Sequence, residues 1–343
     1  MASVEISVLV PIFNEERHVR IAVESMQAQR VAGACEFLLL DGGSTDSTLA
    51  ELAPLLEGDP RLRLLRRPGA TRGELLNLGL RSAHGDLIAR MDAHTVFPPS
   101  YLADGTCRLA LGDVASVSGP AIAVGSGTWS RRIALALRSR IGRGGARFRH
   151  LSEDEIEVDS GYCGLWQGEV LRASGGWNES AHAAEDVELA ARIRQSGGRI
   201  VCVPSMAGRY LPRDTLRGLA AQYWRYAHYR VWSAGRHPEM FRRSHVVPPL
   251  LVTAAVAAVG APRPAARLGR RLLKLYAAVV CAESARLGRG EPPRDALGVA
   301  VVFVTMHFAW GTGFLVSCVR HGPPWAALGL QLRRASKIWS RQG

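Results

Sequence analysis

No GxGxxG loop follows a strand anywhere in the 343-residue chain, and no GxxxxGK[ST] loop occurs, which disfavours a dinucleotide-dependent oxidoreductase and a P-loop ATPase. The six cysteines (Cys35, Cys107, Cys163, Cys202, Cys281, Cys318) are scattered, with no CxxC and no histidines at ligand spacing. That pattern excludes a sequence-encoded zinc site and reads as isolated thiols of a reducing compartment. The opening MASVEISVLV has no basic stretch before its apolar run, so it lacks the make-up of a secretory leader. Acidic residues are scarce in one region only. Residues 205–343 hold 5 Asp/Glu against 21 Lys/Arg, whereas residues 1–204 hold 25 against 22, so the basic excess is confined to the last two-fifths. There the basic residues interleave with Leu, Ala and Val and show no aromatic stacking pattern, so anionic lipid is the expected partner and nucleic acid is not.

What is present is an alternation of strand and helix. Glu5–Phe13, Glu36–Leu40, Arg61–Arg66 and Leu87–Met91 read as buried strands, and Val114–Val124 and Arg199–Val203 as further ones. Between and after them Glu16–Gln29, a segment from Asp46 or Ser47 to Leu56, Gly73–Ala83 and Glu185–Gln195 have helical spacing. This order predicts an α/β fold, a doubly wound and mostly parallel sheet flanked by helices, with its ligand at the carboxyl ends of the strands. Trp129–Arg149 is rich in Arg and Gly and is expected to form an interfacial helix followed by a loop. The character changes near residue 240, dividing the chain into a catalytic domain (1–240) and a helical, membrane-associated region (241–343). Ala296–Val319 runs 24 residues without a charge, enough to span a bilayer. Val246–Ala261 is apolar but short, with Pro248 and Pro249 inside it. The connecting Pro262–Pro293 is strongly basic and poorly suited to translocation, which favours shallow or re-entrant insertion over a two-span hairpin.

Four motifs fall at strand ends. Val10-Pro11-Ile12-Phe13-Asn14-Glu15-Glu16 is a strand-turn-helix whose Glu15 is, taken alone, also an ordinary complement to a helix dipole. Asp41-Gly42-Gly43-Ser44-Thr45-Asp46-Ser47-Thr48 puts an acceptor at a strand end, with glycines that allow close approach of a ligand. Arg90-Met91-Asp92-Ala93-His94 sets a carboxylate and an imidazole two residues apart. That pair suits a hard divalent cation which takes its other ligands from phosphates and water, Mn²⁺ at least as well as Mg²⁺. Ala184-Glu185-Asp186-Val187-Glu188 begins a helix and follows the Gly-rich segment ending in Gly175-Gly176-Trp177-Asn178-Glu179, which fits an acceptor pocket.

Taken in order, VPIFNEE, DGGSTDST, RMDAH, GGWNES…AEDVELAARIRQSGGRI and QYWRYAHYRV resemble the inverting family 2 glycosyltransferases, and within them the ExoA-like group of succinoglycan and other exopolysaccharide enzymes. The resemblance covers roughly residues 4–250, and His307–Leu315 (HFAWGTGFL) also matches that group. It implies a GT-A fold and a set of roles. Pro11 and Glu15 would line the nucleoside pocket, Asp41 would hold the base, and Asn77 would lie beside the nucleotide. Asp92 and His94 would take the place of a DxD metal motif, with histidine for its second carboxylate. Asp186 would be the general base, and Arg225, in a loose form of a QxxRW motif, would lie near the departing diphosphate or the acceptor. Leu165-Trp166-Gln167 departs from the more basic sequence expected there.

The implied activity is inverting, metal-dependent transfer from a nucleotide-sugar, a UDP-sugar being the expected donor, to a hydroxyl of a lipid-linked or glycan acceptor. Because nucleotide-sugars are cytosolic, the catalytic domain would face the cytoplasm. The rival from another class is a GT-A-like membrane scaffold without catalysis, whose mark would be a missing base or metal carboxylate; both are present. A nucleotidyltransferase is a third reading, but it needs a basic Gly-rich loop where this chain has Asn14-Glu15-Glu16.

Overall fold

The computed structural model describes residues 5–149, 152–180 and 185–339. In chain order the elements are β1 (Ile6–Ile12), α1 (Val19–Gln27), β2 (Cys35–Asp41), α2 (Thr48–Gly58), β3 (Leu62–Arg66), α3 (Arg72–Ser82), β4 (Leu87–Arg90), β5 (Thr95–Val96), α4 (Tyr101–Leu109), β6 (Ser116–Ser118) and β7 (Ala121–Ala123). There follow α5 (Thr128–Arg138), α6 (Arg140–Arg143), β8 (Ile156–Glu157), β9 (Leu165–Gln167), α7 (Gly168–Ala173), α8 (Glu185–Gln195), β10 (Ile200–Cys202) and β11 (Gly208–Tyr210). The remainder is helical: α9 (Leu216–Arg236), α10 (Val247–Gly260), α11 (Arg263–Leu287), α12 (Pro293–His321) and α13 (Trp325–Trp339). Two compact units result, residues 1–122 with 147–211, and residues 123–146 with 212–343.

The first unit is built on an eight-stranded sheet of order β3-β2-β1-β4-β9-β6-β10-β8. β3, β2, β1 and β4 are parallel, as the strand–helix alternation predicts. β9 inserts antiparallel between β4 and β6, and β8 closes the far edge antiparallel to β10. Alternate residues of β1 and β2 bury on opposite faces. Val8, Val10, Phe37 and Leu39 pack with Val19, Val23 and Leu52, while Leu9, Leu38 and Leu40 pack with Leu75, Leu76 and Leu80. Both faces are covered, which is why these strands read as continuous apolar runs. The winding reverses between β1 and β4, and the carboxyl ends of those two strands define the crevice where such sheets bind ligands.

Several boundaries differ from the expectation for physical reasons. The strand expected over Val114–Val124 is broken at Gly119-Pro120 into β6, in the large sheet, and β7, in a small sheet of order β5-β11-β7. A Cβ at Gly119 would lie 1.7 Å from the Met206 carbonyl oxygen, so the chain passes too close there to continue as a ladder. α1 starts at Val19 rather than Glu16, after a turn in which the Glu15 carbonyl accepts from the His18 and Val19 N–H groups.

In the second unit α12 lies close to its neighbours through small residues. A Cβ at Gly313 would be 2.4 Å from the Trp224 carbonyl oxygen, and one at Gly311 would be 2.5 Å from that of Pro248. Ser317 Oγ donates to the His228 carbonyl at 2.8 Å. Segments 243–260 and Pro293–His321 are long and apolar enough to cross a membrane, with mean hydropathies of 1.3 and 1.8. The basic connection between them is almost entirely helix α11.

Candidate active site

The first two motifs are stitched into one surface. Asn14 turns the chain with φ 54°, and its Oδ1 accepts from the Thr45 N–H at 2.8 Å. The Glu15 N–H donates to Thr48 Oγ1 at 2.8 Å, and Glu16 Oε2 accepts from the Ser47 N–H at 3.1 Å. An αL turn at asparagine is one of the few that a non-glycine residue adopts readily. Asp41, at the end of β2 and fully buried, accepts from the N–H groups of Gly43 and Ser44 at 3.1 and 3.0 Å and from Arg66 Nε at 3.1 Å. Burial alone would raise its pKa, but the bonds from Ser44, Arg66 and Gly43 outweigh it and hold the carboxyl below its ordinary value.

At the switch point the sheet presents a buried charge network. Arg90, the last residue of β4, donates from Nε to Asp92 Oδ1 at 2.8 Å and from Nη2 to Oδ2 at 3.3 Å. Its Nη1 reaches Glu185 Oε1 at 3.2 Å, and Arg72 Nη1 meets the same oxygen at 3.3 Å. Burial works against the charge on Asp92, but Arg90, then His94 and Arg72, overcome it and keep the carboxyl ionised. Glu185 is likewise lowered, with Arg72 and Arg90 outweighing burial. Its neighbour Asp186 moves the other way, raised by burial and by the Glu185 charge. Two adjacent carboxylates at the head of α8 are thus driven apart in acidity.

His94 sits across the same end of the sheet. Its Nδ1 is 3.6 Å from Glu15 Oε1, and its ring meets Tyr210 edge-on at 5.4 Å. Tyr162 hydroxyl and Thr95 Oγ1 are 2.7 Å apart behind it. Asp92, Glu15 and His94 are oxygen and imidazole donors of the kind a hard cation accepts. Among the described residues, no three of His, Cys, Asp and Glu gather as a ready cage. Residues of this kind would hold a hard cation only together with ligands from a diphosphate and water.

Among the residues singled out in the sequence, Pro11, Glu15, Asp41, Asp92 and His94 lie at strand ends or in the loops leaving them, and Asp186 lies in the first turn of α8. Asn77 lies on α3 with its amide committed to the wall beside the site. Its Oδ1 accepts from the Trp177 N–H at 2.9 Å, and its Nδ2 donates to the Trp177 carbonyl at 2.8 Å and to Glu179 Oε1 at 3.0 Å. Arg225 is an exposed residue of α9 in the second unit. Leu165-Trp166-Gln167 is strand β9, with Trp166 packed edge-on against Trp177 at 5.9 Å, which explains why basic residues are absent there. Sequence reasoning missed Arg90, Arg72 and Glu185. The available signal was an arginine inside the otherwise apolar strand LIAR, a position that demands a buried partner.

Residues 7–167 match the family model for Glycosyl transferase family 2. The succinoglycan biosynthesis protein ExoA of Rhizobium meliloti is 27% identical over 322 residues, covering 90% of this chain and 93% of its own. The dodecaprenyl-phosphate galacturonate synthase of Rhizobium johnstonii is 38% identical over 96 residues, covering 26% of this chain and 28% of its own. In fold, the chain is similar to the mannosyltransferase PcManGT of Pyrobaculum calidifontis, solved with GDP-Man and Mn²⁺. The TM-score is 0.55 at 22% identity, over 88% of this chain and 85% of that one. The fold is thus GT-A, and the sequence is similar to Glycosyl transferase family 2 over residues 7–167 and to ExoA over 90% of the chain.

Proposed function

We propose that this enzyme transfers a sugar with inversion from a nucleotide-sugar, a UDP-sugar by preference, to a hydroxyl of a lipid-linked or glycan acceptor in cell-surface polysaccharide or glycolipid synthesis. Residues 1–240 act as the catalytic domain on the cytoplasmic face of the membrane, and residues 241–343 attach it. The observation that carries the reading is the buried network at the switch point of the sheet, where Arg90 binds Asp92 at 2.8 Å and Glu185 at 3.2 Å, next to Asp186 at the head of α8. Its ExoA relative is named for succinoglycan biosynthesis and the galacturonate synthase for a polyprenyl phosphate, which supports a lipid-linked acceptor.

In this mechanism the bond between the anomeric carbon and the diphosphate oxygen breaks as a new bond forms to the acceptor oxygen on the opposite face. Asp186 takes the acceptor's hydroxyl proton, and its raised pKa makes it a stronger base than an ordinary carboxylate. No covalent nucleophile is required for a single displacement. Asp41 and the loops around Pro11 and Glu15 receive the nucleoside. Asn77 acts at one remove, holding the Trp177–Glu179 wall. Arg225 is assigned by its motif to the departing diphosphate or the acceptor. A divalent cation, Mn²⁺ or Mg²⁺, held by Asp92 and His94, would supply electrostatic stabilisation of the charge that develops on the diphosphate; the Mn²⁺ and GDP-Man in PcManGT support that choice. The test is a panel of nucleotide-sugars offered to membranes containing the chain, with and without Mn²⁺. Cation-dependent transfer or donor hydrolysis is expected with at least one, and silence across the panel would overturn the reading.

A further inference from the structure

The helical unit presents two chemically different outer surfaces. On α11, Leu268, Leu272, Leu275 and Val279 are exposed and recur every three or four residues, so they form one apolar stripe. Arg267, Arg270, Arg271 and Lys274 follow on the adjoining face, also exposed. The third face packs into the protein through Ala266, Gly269, Val280 and Ser284. α10 adds exposed Val256 and Val259, and α12 adds Leu297, Val301 and Val304. The exposed residues of α9, by contrast, include Arg217, Arg225 and Arg236.

The packing of α12 decides what that apolar surface can be. Its first turn is pinned to α5, where Arg132 Nε donates to the buried Asp295 at 2.9 Å and Arg131 Nη2 reaches Glu291 at 2.9 Å. Its middle is held by His307 Nε2, 2.9 Å from the Ile141 carbonyl of α6. Its last turns lie on α9 at Trp224 and His228. One side of α12 is therefore covered along its length by helices that carry arginines. If α12 crossed a bilayer, those arginines would be carried to the depth of the hydrocarbon, where each is costly.

We propose that the helical unit is monotopic. The exposed apolar faces of α10, α11 and α12 enter one leaflet of an anionic bilayer, the basic face of α11 lies at its phosphates, and no segment crosses. This rests on the membrane attachment in the proposed function, but not on the sugar chemistry. A helix with an apolar stripe beside a Lys/Arg face is the pattern of elements that lie in a membrane interface, and each basic residue near an anionic surface adds attraction that salt screens.

The experiment uses the full chain. Flotation is measured on phosphatidylcholine vesicles with and without about one-third phosphatidylglycerol, and binding to the anionic vesicles is expected to be roughly tenfold tighter or more. Changing Arg267, Arg270, Arg271 and Lys274 to Gln should abolish that preference. Leu272→Asp with Leu275→Asp should weaken binding to both vesicles by roughly tenfold or more. Because these positions are exposed, donor hydrolysis should survive in both variants, so loss of binding is distinguishable from misfolding. Topology is read in intact spheroplasts with a membrane-impermeant maleimide, after Cys107 and Cys281 are changed to Ser and a cysteine is placed at Arg289 or Pro323. Both sites should label only after lysis. Labelling of either from outside means a segment crosses and overturns the proposal. Vesicle binding indifferent to the Asp changes overturns it too, as does a dimer formed through this face in place of lipid binding. A silent donor panel would sink sugar transfer while leaving the vesicle and labelling results intact.

Discussion

Arg90→Gln is the perturbation whose consequences the structure constrains most tightly. The Arg90, Asp92 and Glu185 side chains are 5%, 6% and 2% exposed, and the arginine holds both carboxylates at 2.8 and 3.2 Å. At an effective dielectric near 20, a pair of charges about 4 Å apart is worth about 4 kcal/mol before desolvation is counted. Removing one member of a buried pair costs about 3–5 kcal/mol, because the other charge is left uncompensated. Glu185 keeps Arg72, so most of the penalty falls on Asp92. The pH dependence gives a second signature. In the wild type, Asp92 and Glu185 are depressed, so their contribution is present above the unfolded carboxylate values of about 4 and is lost as the pH falls through the folded values. In the variant, burial without the cation raises Asp92. Its penalty is then full at neutral pH and disappears as acid protonates it. Denaturant melts of both proteins should therefore differ most near pH 7, with a difference that narrows as the pH falls and continues to narrow below about pH 4. A difference below about 1 kcal/mol, or one that does not change with pH, would refute the argument that Arg90 neutralises this site.

Asp186→Asn should lower turnover by at least ~10²-fold while leaving donor affinity near wild type, and wild-type-like turnover would remove Asp186 from the mechanism. Because burial and Glu185 raise Asp186, the acidic limb of the kcat profile should lie above the ordinary carboxylate range and vanish in the Asn variant. Asp92→Ala should abolish Mn²⁺-dependent binding of UDP in calorimetric titration, with His94→Ala weakening it less; unchanged affinity in the Asp92 variant would place the cation elsewhere. Gly43→Ala should destabilise the chain by about 1–3 kcal/mol in a denaturant melt, since Gly43 has φ 96° and a Cβ there would lie 2.9 Å from Pro68 Cα.

The parallel half of the sheet was legible because periodicity reports burial. Strands β1, β2 and β4 are covered on both faces, so each leaves an uninterrupted apolar run, and strand ends could be placed within a residue or two. The antiparallel half was not. β9 and β8 are only three and two residues long, and what inserts β9 between β4 and β6 is pairing with residues far away in sequence. The helix read over Leu268–Ala285 is α11, extended to Arg263–Leu287, and its turn brings Leu268 and Val279 onto one line among the arginines.

The same division runs through the site. Asp92, His94 and Asp186 stand out in the sequence because each follows a strand or opens a helix, where candidate ligand-end residues of an α/β sheet are found regardless of distant contacts. Glu185 looked like one more acid in a first turn, and Arg90 like an anomaly in a strand, because neither has a meaning without the other. Each is intelligible only as half of a buried pair that bridges 95 positions of sequence. Such a pair joins the end of β4 to the start of α8, so the separation between Asp92 and Glu185 is set by one rigid guanidinium. A lysine at position 90 would carry the charge but not the fork, and could not hold both carboxylates in a fixed plane. Arg90 is thus the residue whose geometry, not merely whose charge, ties Asp92 to the first residue of α8.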